Sequence, residues 1–320
     1  MNFLRALFKI AAWMLGLLLG GIGLYIGYAH WAWADLTPAE IAQRHPLPEL
    51  QVAMVDGVPL HYQLQGPADA PTIVLIHNHF MDMGMWDSWV QGLREAYQVL
   101  RYDLSGHGRT GPDPSGIYTV ERDVALLQGL LDSLGIHQAH IVGSSLGGNV
   151  AFGFVATQPE RSLSLALINS GGMPRENNRA EGEIPPIADQ IMPLLPPAAY
   201  RAFLQWMAVN DVVLTEKVQQ RFVDMFRREG NRAAELSRLR QYEVRDPRPL
   251  LAQVRVPSLV LWGAENPQLP AALAQEFAAA LVHSPSVNLR VIPEAGHILP
   301  LEQAEQSLQA YTEFLAAPAR

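Results

Sequence analysis

The sequence predicts an α/β fold in which a parallel sheet carries helices on both faces, and three observations support this prediction. From residue 72 onward, short apolar runs suited to buried strands alternate with segments of helical periodicity. The alternation stops between residues 171 and 254 and then resumes, as expected for a helical insertion into a sheet domain. A long uncharged apolar run precedes the whole pattern and predicts an N-terminal transmembrane helix.

The sheet domain is assigned to residues 51–170 and 255–320. It opens with two strand candidates, Val52–Val55 and Leu60–Gln65, which are separated by the hairpin signal Asp56-Gly57. The further predicted strands are Thr72–His77, Val99–Asp103, His140–Gly143, Leu165–Ile168, Ser258–Trp262 and Val287–Ile292. The predicted helices are Trp86–Tyr97, Val120–Leu134, Leu146–Thr157, Ala271–Leu281 and Leu301–Leu315.

Residues 171–254 are predicted to form a helical cap. The segment is rich in proline at first and then has helical periodicity over Tyr200–Val209 and Glu216–Arg228, without a strand pattern. Its apolar residues either face a pocket or only dock the cap on the core: Phe203, Trp206, Met207 and Val209.

Residues 1–34 are predicted to be a membrane anchor. The uncharged run Ile10–Ala34 is long enough to span a hydrocarbon core of about 30 Å. Basic residues before the run and acidic residues after it place the rest of the chain outside the cytoplasm, in a periplasmic or extracellular space. A signal peptide is the alternative, because Ala32-Trp33-Ala34 has the form of a cleavage site, and it predicts the same side. The proline-containing residues 35–50 are predicted to be a linker.

Composition excludes several classes of function. The 320-residue chain has a formal net charge of -8, so it lacks the basic patch that nucleic acid requires. It contains no cysteine, which excludes disulfides, thiolate metal ligands and a cysteine nucleophile. About half of its residues are apolar, enough to bury a sizeable core.

The strongest chemical signal is the run Gly143-Ser144-Ser145-Leu146-Gly147-Gly148, which follows a predicted strand and opens a predicted helix. A G-x-S-x-G sequence at such a junction is a nucleophile elbow. The sharp turn crowds the backbone around the serine, so the residues at 143 and 147 must lack side chains. We therefore predict that Ser145 is a nucleophile, exposed above the sheet and close to the N–H groups of a helix N-terminus.

A second signal, Glu294-Ala295-Gly296-His297, lies between the last predicted strand and the last predicted helix. A histidine on that loop can reach over the edge of the sheet toward the elbow. A serine hydroxyl needs such a hydrogen-bonded base to become nucleophilic. We therefore predict that His297 is the general base.

Together these motifs resemble those of the α/β-hydrolase superfamily, in particular bacterial esterases and enol-lactonase-like members, over roughly residues 50–317. The resemblance rests on Leu75-Ile76-His77, Met85-Trp86-Asp87, Tyr102-Asp103-Leu104-Ser105-Gly106-His107-Gly108, the elbow, Leu261-Trp262-Gly263 and Ala295-Gly296-His297. It implies an eight-stranded, mostly parallel sheet with a lid formed by the inserted helices. It also implies an oxyanion hole made by the backbone N–H groups of Leu146 and His79.

The third member of the implied triad departs from the family pattern. The usual position of the acid is occupied by Asn266, next to the acidic Glu265. The family's other position for the acid falls near Asn169 and Ser170, which are not acidic. Glu265 is the preferred assignment, with Asn266 in its place as the alternative. A carboxylate from elsewhere, such as Asp103, is a further one.

The loop His77-Asn78-His79 is a second departure, because Asn78 stands where the family usually has glycine. Asparagine tolerates a positive φ better than most residues, so the loop can keep its shape. Two histidines on one strand face with Asp82 nearby also fit a zinc site. The family match already explains this strand end, so we predict no metal.

These observations predict a serine hydrolase, a carboxylic ester hydrolase that cleaves a small-molecule ester or lactone through an acyl-enzyme without a cofactor. A non-catalytic binding module at the membrane and a metal-dependent hydrolase are the alternatives. Four apolar residues either line an acyl pocket or belong to the core: Met81, Met83, Met85 and Trp86.

Overall fold

The computed structural model describes residues 2–174, 184–243 and 245–317, with side chains from Arg5 onward. Its strands are β1 (Gln51–Val55), β2 (Val58–Gln65), β3 (Thr72–Ile76), β4 (Gln98–Tyr102), β5 (Ala139–Ser144), β6 (Ser162–Ile168), β7 (Ser258–Gly263) and β8 (Val287–Ile292). Each coincides with a predicted strand to within three residues at either end.

The helices of the sheet domain and its N-terminal extension are α1 (Asn2–Ala32), α2 (Pro38–Arg44), α3 (Asp87–Leu93), α4 (Val120–Ser133) and α5 (Leu146–Thr157). Those between β6 and β7 are α6 (Ala188–Ile191), α7 (Pro197–Met207), α8 (Glu216–Phe226), α9 (Asn231–Gln241) and α10 (Arg248–Leu251). The last ones are α11 (Ala272–Ala280), α12 (Leu299–Glu302) and α13 (Ala304–Ala316).

The strands form one eight-stranded sheet in the order β1-β2-β4-β3-β5-β6-β7-β8. The β1–β2 and β2–β4 pairs are antiparallel, and all other neighbours are parallel. This confirms the predicted sheet. Because the carboxyl ends of parallel strands share one edge, the loops after β3, β5, β7 and β8 lie together there.

Both faces of the sheet are buried, which explains why the central strands read as continuous apolar runs. In β3, Val74 and Ile76 belong to one hydrophobic cluster, together with α4, α5 and α11 residues. Their neighbours Ile73 and Leu75 belong to a second cluster on the opposite face, where α3, α13 and the cap pack. Side chains that alternate along the strand therefore supply two cores.

The cap lies between β6 and β7, as predicted, and helix α9 is the longest of its helices that were not predicted, besides the short α6 and α10. This helix is rich in arginine and lacks a clear apolar stripe, so periodicity did not reveal it. It is held by polar contacts instead, since the buried Arg238 is 2.7 Å from the buried carboxylate of Asp123. An ion pair with a distant residue therefore stabilises the position of α9 in place of an apolar stripe.

Helix α1 is long and apolar enough to cross a membrane by length and composition. Its end contacts the cap, where the Tyr25 hydroxyl donates a hydrogen bond to the Leu194 carbonyl at 3.0 Å. The predicted linker 35–50 is packed rather than extended, because its Leu36 and Ile41 are buried against Met225 of α8. The segment that joins α1 to the sheet domain is therefore fixed on the cap.

Candidate active site

Ser145 lies at the junction of β5 and α5 with φ 52° and ψ -113°, a backbone conformation that L-residues rarely adopt. The neighbouring glycines permit this turn. A Cβ atom at Gly143 would lie 2.0 Å from the Gly147 carbonyl oxygen, and one at Gly147 would lie 2.3 Å from that of Ile76. The predicted elbow is present, and its glycines are required by close backbone contacts.

His297 lies on the loop between β8 and α12, and its Nε2 is 3.0 Å from the Ser145 Oγ. Both side chains are largely buried. The loop is fastened to the cap, because the His297 backbone N–H donates a hydrogen bond to the Met207 carbonyl at 2.9 Å. The structure thus brings together the two residues predicted as nucleophile and base.

Asn266, on the loop after β7, makes the contact that was predicted first for Glu265. Its Oδ1 is 3.2 Å from His297 Nδ1 and also accepts the backbone N–H groups of Gln268 and Leu269, each at 3.0 Å. Glu265 is exposed, and its backbone N–H donates to the Ala295 carbonyl. The structure therefore places Asn266, the alternative assignment, beside His297, whereas the side chain of Glu265 is exposed.

The backbone N–H groups of Leu146 and His79 have no acceptor among the described residues. Leu146 is the first residue of α5, so its N–H is one of the orphan donors of a helix N-terminus. The left-handed residue of the His79 loop is Phe80, with φ 72°, so Asn78 does not need the positive φ expected of it. Both amides are therefore free to donate to a developing oxyanion.

Residues 71–304 match the model of the alpha/beta hydrolase fold family. The chain belongs to the α/β-hydrolase family. The dihydrolipoyllysine-residue acetyltransferase component of the acetoin cleaving system of Cupriavidus necator is 29% identical over 277 residues, which cover 84% of this chain and 70% of that protein. The 3-oxoadipate enol-lactonase 2 of Acinetobacter baylyi is 27% identical over 249 residues, 78% of this chain and 90% of that protein.

Among solved structures, a membrane phospholipase A superposes on the chain with a TM-score of 0.72 at 24% identity, covering 95% of this chain and 98% of that one. At this identity, the likeness shows the fold alone. The relatives of this chain in the α/β-hydrolase family include ester and lactone hydrolases.

The other carboxylate considered as triad acid, Asp103, has a structural role in this member of the α/β-hydrolase family. Its two oxygens accept the backbone N–H groups of Met83 and Arg109, each at 2.7 Å. Burial, with the nearby Asp82, raises the pKa of the Asp103 carboxyl. It organises the turn after its own strand.

Two buried side chains hold the His297 loop in place, and the sequence predicted this role for neither of them. Asn169 donates to the carbonyls of Gly296 and His297, each at 3.0 Å. Glu302 accepts the N–H groups of Gly296 and Ile298 in the loop, each at 3.0 Å. Glu302 also accepts two cap N–H groups, those at positions 209 and 210, at 2.7 and 3.1 Å. The sequence feature that could have pointed to this contact is the glutamate shortly after the histidine motif.

In the zinc set that was considered as an alternative, His77 and Asp82 have other partners. Burial lowers the pKa of His77, whose Nδ1 lies 2.8 Å from the Asn78 carbonyl and whose Nε2 accepts the Leu104 N–H at 2.9 Å. The Asp82 carboxylate pairs with Arg221 at 3.3 Å. Both groups are therefore committed to other partners.

The apolar residues that could line a pocket divide into two groups. The stripe after β3 is fully part of the core: Met81, Met83, Met85 and Trp86. In the cap, Met207 is buried, whereas Trp206 and Val209 are exposed.

Proposed function

We propose that the chain is a serine hydrolase that cleaves a carboxylic ester or lactone through an acyl-enzyme. The observation that carries the proposal is the His297 ring, whose two nitrogens face the Ser145 Oγ at 3.0 Å and the Asn266 Oδ1 at 3.2 Å. A serine on a strained elbow with a buried, oriented imidazole is the arrangement that activates a hydroxyl.

The tautomer of His297 follows from its partner. The Asn266 Oδ1 already accepts two backbone N–H groups, so it can only accept from Nδ1, which must carry the ring hydrogen. Nε2 then presents its lone pair to the Ser145 hydroxyl. This is the tautomer that a general base requires.

In the first half-reaction, Ser145 Oγ attacks the substrate carbonyl while its proton passes to His297 Nε2. The N–H groups of Leu146 and His79 stabilise the oxyanion. His297 returns the proton to the leaving alcohol, which leaves an ester on Ser145. Water then attacks this acyl-enzyme with His297 again as base, and collapse of the intermediate releases the carboxylic acid.

An amide as third member implies a slow enzyme. In the serine protease triad, replacing the aspartate with asparagine costs roughly 10⁴ in kcat, largely through a wrong tautomer. Here the tautomer is preserved, and what is lost is the negative charge that would stabilise the imidazolium. We therefore expect a rate penalty below about 10⁴ relative to a carboxylate triad.

We further propose that α1 anchors the enzyme, with the catalytic domain outside the cytoplasm. The support is the apolar length of α1, the basic residues Arg5 and Lys9 at its start and the acidic Asp35 just after its end. The substrate is a small-molecule ester or lactone, as the name of the related enol-lactonase suggests.

The second candidate is a non-catalytic binding module, which the amide at position 266 favours. The test uses the full chain in detergent with a fluorescent alkyl phosphonate and with p-nitrophenyl esters, comparing wild type, Ser145→Ala and Ser144→Ala. Ser144 is the matched control, because it is the buried neighbour of the nucleophile.

We expect the wild type and Ser144→Ala to be labelled and to turn over ester, and Ser145→Ala to do neither. After incubation of the protein with a slow substrate, mass spectrometry of its peptides should locate an acyl group on the peptide that contains Ser145. A folded wild type that neither reacts with the phosphonate nor releases nitrophenol would instead be a binding module.

A further inference from the structure

A second cluster of titratable groups lies beside the proposed oxyanion loop. It comprises His79 from the loop after β3, His107 from the loop after β4 and Glu235 from cap helix α9. One ligand atom from each of the three side chains lies within 4.8 Å of the other two. Three segments far apart in the sequence therefore present nitrogen and oxygen donors to one point.

His107 is oriented as a ligand. Its side chain is buried, and its Nδ1 lies 3.1 Å from the Ser105 carbonyl, which can only accept, so Nδ1 carries the ring hydrogen. Its Nε2 therefore presents a lone pair and is without a hydrogen-bond partner in the described part of the chain. A carbonyl that holds Nδ1–H and leaves Nε2 bare is the usual support of a metal-bound histidine.

Only one of the two carboxylate oxygens of Glu235 has a hydrogen-bond partner among the described residues. The side chain is 5% exposed, and its Oε2 lies 2.8 Å from His79 Nε2. Its Oε1 is buried with no partner among the residues described. The guanidinium of Arg238, one turn further along α9, is directed to Asp123 instead. A buried carboxylate oxygen without a partner costs free energy that a bound cation would recover.

We propose that His79, His107 and Glu235 bind a divalent transition-metal ion. Two imidazoles and one carboxylate are a donor set that suits Zn²⁺ and leaves a fourth position open. His107 and Glu235 line a narrow cleft together with Phe80, Gly106 and Asn231, and the buried Asn231 Oδ1 is likewise without a partner among the described residues.

Metal binding requires the three side chains to adjust their positions. Ligands 2.0–2.1 Å from a tetrahedral ion are separated by about 3.3 Å, so a pair at the 4.8 Å limit closes by about 1.5 Å. The His79–Glu235 pair opens from 2.8 Å, and the ring hydrogen of His79 moves from Nε2 to Nδ1 so that Nε2 can bind the ion. The site differs from the set that the sequence suggested and shares only His79 with it.

The ion joins the cap to the sheet domain. His79 and His107 belong to the sheet domain and Glu235 to the cap, so metal binding fastens α9 across the proposed oxyanion loop. Binding requires no chemistry at Ser145. The proposal therefore stands or fails independently of the serine mechanism.

The experiment titrates Co²⁺ and Zn²⁺ into the chelator-treated full chain in detergent. We expect one equivalent of Co²⁺ to bind with visible absorption bands of a four- or five-coordinate ion, and Zn²⁺ to displace it. Zn²⁺ should also raise the midpoint of thermal unfolding in a concentration-dependent way.

Variants locate the site. His107→Gln and Glu235→Gln should each weaken Co²⁺ binding by more than the roughly 10–100-fold that loss of a supporting contact costs. Glu235→Gln can still accept the hydrogen bond from His79, so it tests the ligand without unpairing the histidine. His137→Gln, at an exposed histidine elsewhere, is the matched control and should bind as the wild type does.

Absence of stoichiometric binding to the folded wild type would overturn the proposal, as would binding that survives both ligand substitutions. Phosphonate labelling of Ser145 is measured on the same samples. A chain that is labelled but binds no metal keeps the serine mechanism and loses only the metal site.

Discussion

His297 and His79 lie on loops at the same edge of the sheet, and they differ in their partners. His297 is 2% exposed and contacts the Ser145 hydroxyl on one side and the neutral amide of Asn266 on the other. His79 is one-fifth exposed, stacks on Phe80 with ring centroids 3.8 Å apart, and faces the carboxylate of Glu235. The buried carboxylate therefore accompanies the histidine that does not contact the nucleophile.

This difference separates two tasks that a carboxylate–histidine pair can perform. A carboxylate behind a base stabilises the imidazolium that forms in the transition state, and His297 lacks this charge. A carboxylate beside a histidine can also build a polar or metal-binding contact between two parts of a fold, as we propose for His79. Which task a histidine performs is decided by its partner and not by its motif.

The largest expected effect comes from replacing the amide partner of His297 with a carboxylate. Asn266→Asp should raise kcat for ester hydrolysis about 10²-fold, because it restores charge in a triad whose tautomer is already correct. The position can accept a carboxylate, since two backbone N–H groups already donate there and Nδ2 has no partner among the described residues. A negative charge raises the pKa of the imidazole, so the acid limb of the kcat/KM profile should move to higher pH.

The pH–rate profile and kcat of Asn266→Asp are measured beside those of wild type and of Ser145→Ala with Asn266→Asp. The double variant must be inactive if the gain acts through the serine. An unchanged kcat in the single variant would show that charge behind His297 does not limit the reaction.

The next effect tests how the His297 loop is held. Glu302→Ala removes a carboxylate that accepts four backbone N–H groups from the loop and the cap. We expect a loss of about 2–4 kcal/mol in the free energy of unfolding, because hydrogen bonds to charged groups contribute about 1.5–3 kcal/mol each, while water that enters the space left by the carboxylate satisfies part of the four donors.

We also expect kcat of Glu302→Ala to fall about 10–100-fold, since the base is no longer held at 3.0 Å from the nucleophile. Thermal unfolding and ester kinetics measure the two effects. Glu305→Ala, at an exposed glutamate in the following helix, is the control and should stay within about 0.5 kcal/mol of wild type. A variant with wild-type kcat would mean that the cap alone positions the loop.

A smaller effect is expected from changing Glu235, the carboxylate that accompanies His79. Glu235→Gln should lower kcat of the metal-free enzyme by less than about threefold, because the amide can still accept a hydrogen bond from His79. Steady-state ester kinetics in the presence of chelator measure this. A hundredfold fall would reverse the comparison, since it would place this carboxylate in the proton transfer.

The smallest effect concerns the exposed neighbour of Asn266. Glu265→Gln should change neither kcat nor the free energy of unfolding beyond about twofold and 0.5 kcal/mol, because its side chain lies in solvent. The same kinetic and unfolding assays apply. A large loss of kcat in this variant would return the third position of the triad to Glu265.

Much of the fold could be predicted because it rests on local periodicity. Buried parallel strands leave continuous apolar runs, as in β3, β6 and β7, and a hairpin signal separates β1 from β2. Helix α9 could not be predicted in this way, because polar and ionic contacts with distant residues hold it. The linker was likewise predicted from its prolines, and only the buried Leu36 and Ile41 show that it packs on the cap.

The sequence by itself determined the elbow at Ser145, because the tight turn requires glycine at fixed neighbouring positions. It also determined that His297 lies on a loop, because a strand pattern precedes this residue and a helix pattern follows it. Only the tertiary structure decided that Asn266 rather than Glu265 faces the imidazole, since one residue along a loop reverses the direction of a side chain. It also decided the contacts of Glu302 and the meeting of His79, His107 and Glu235. Those groups come from distant segments, and no pattern along the chain records which side chains folding brings within hydrogen-bond reach.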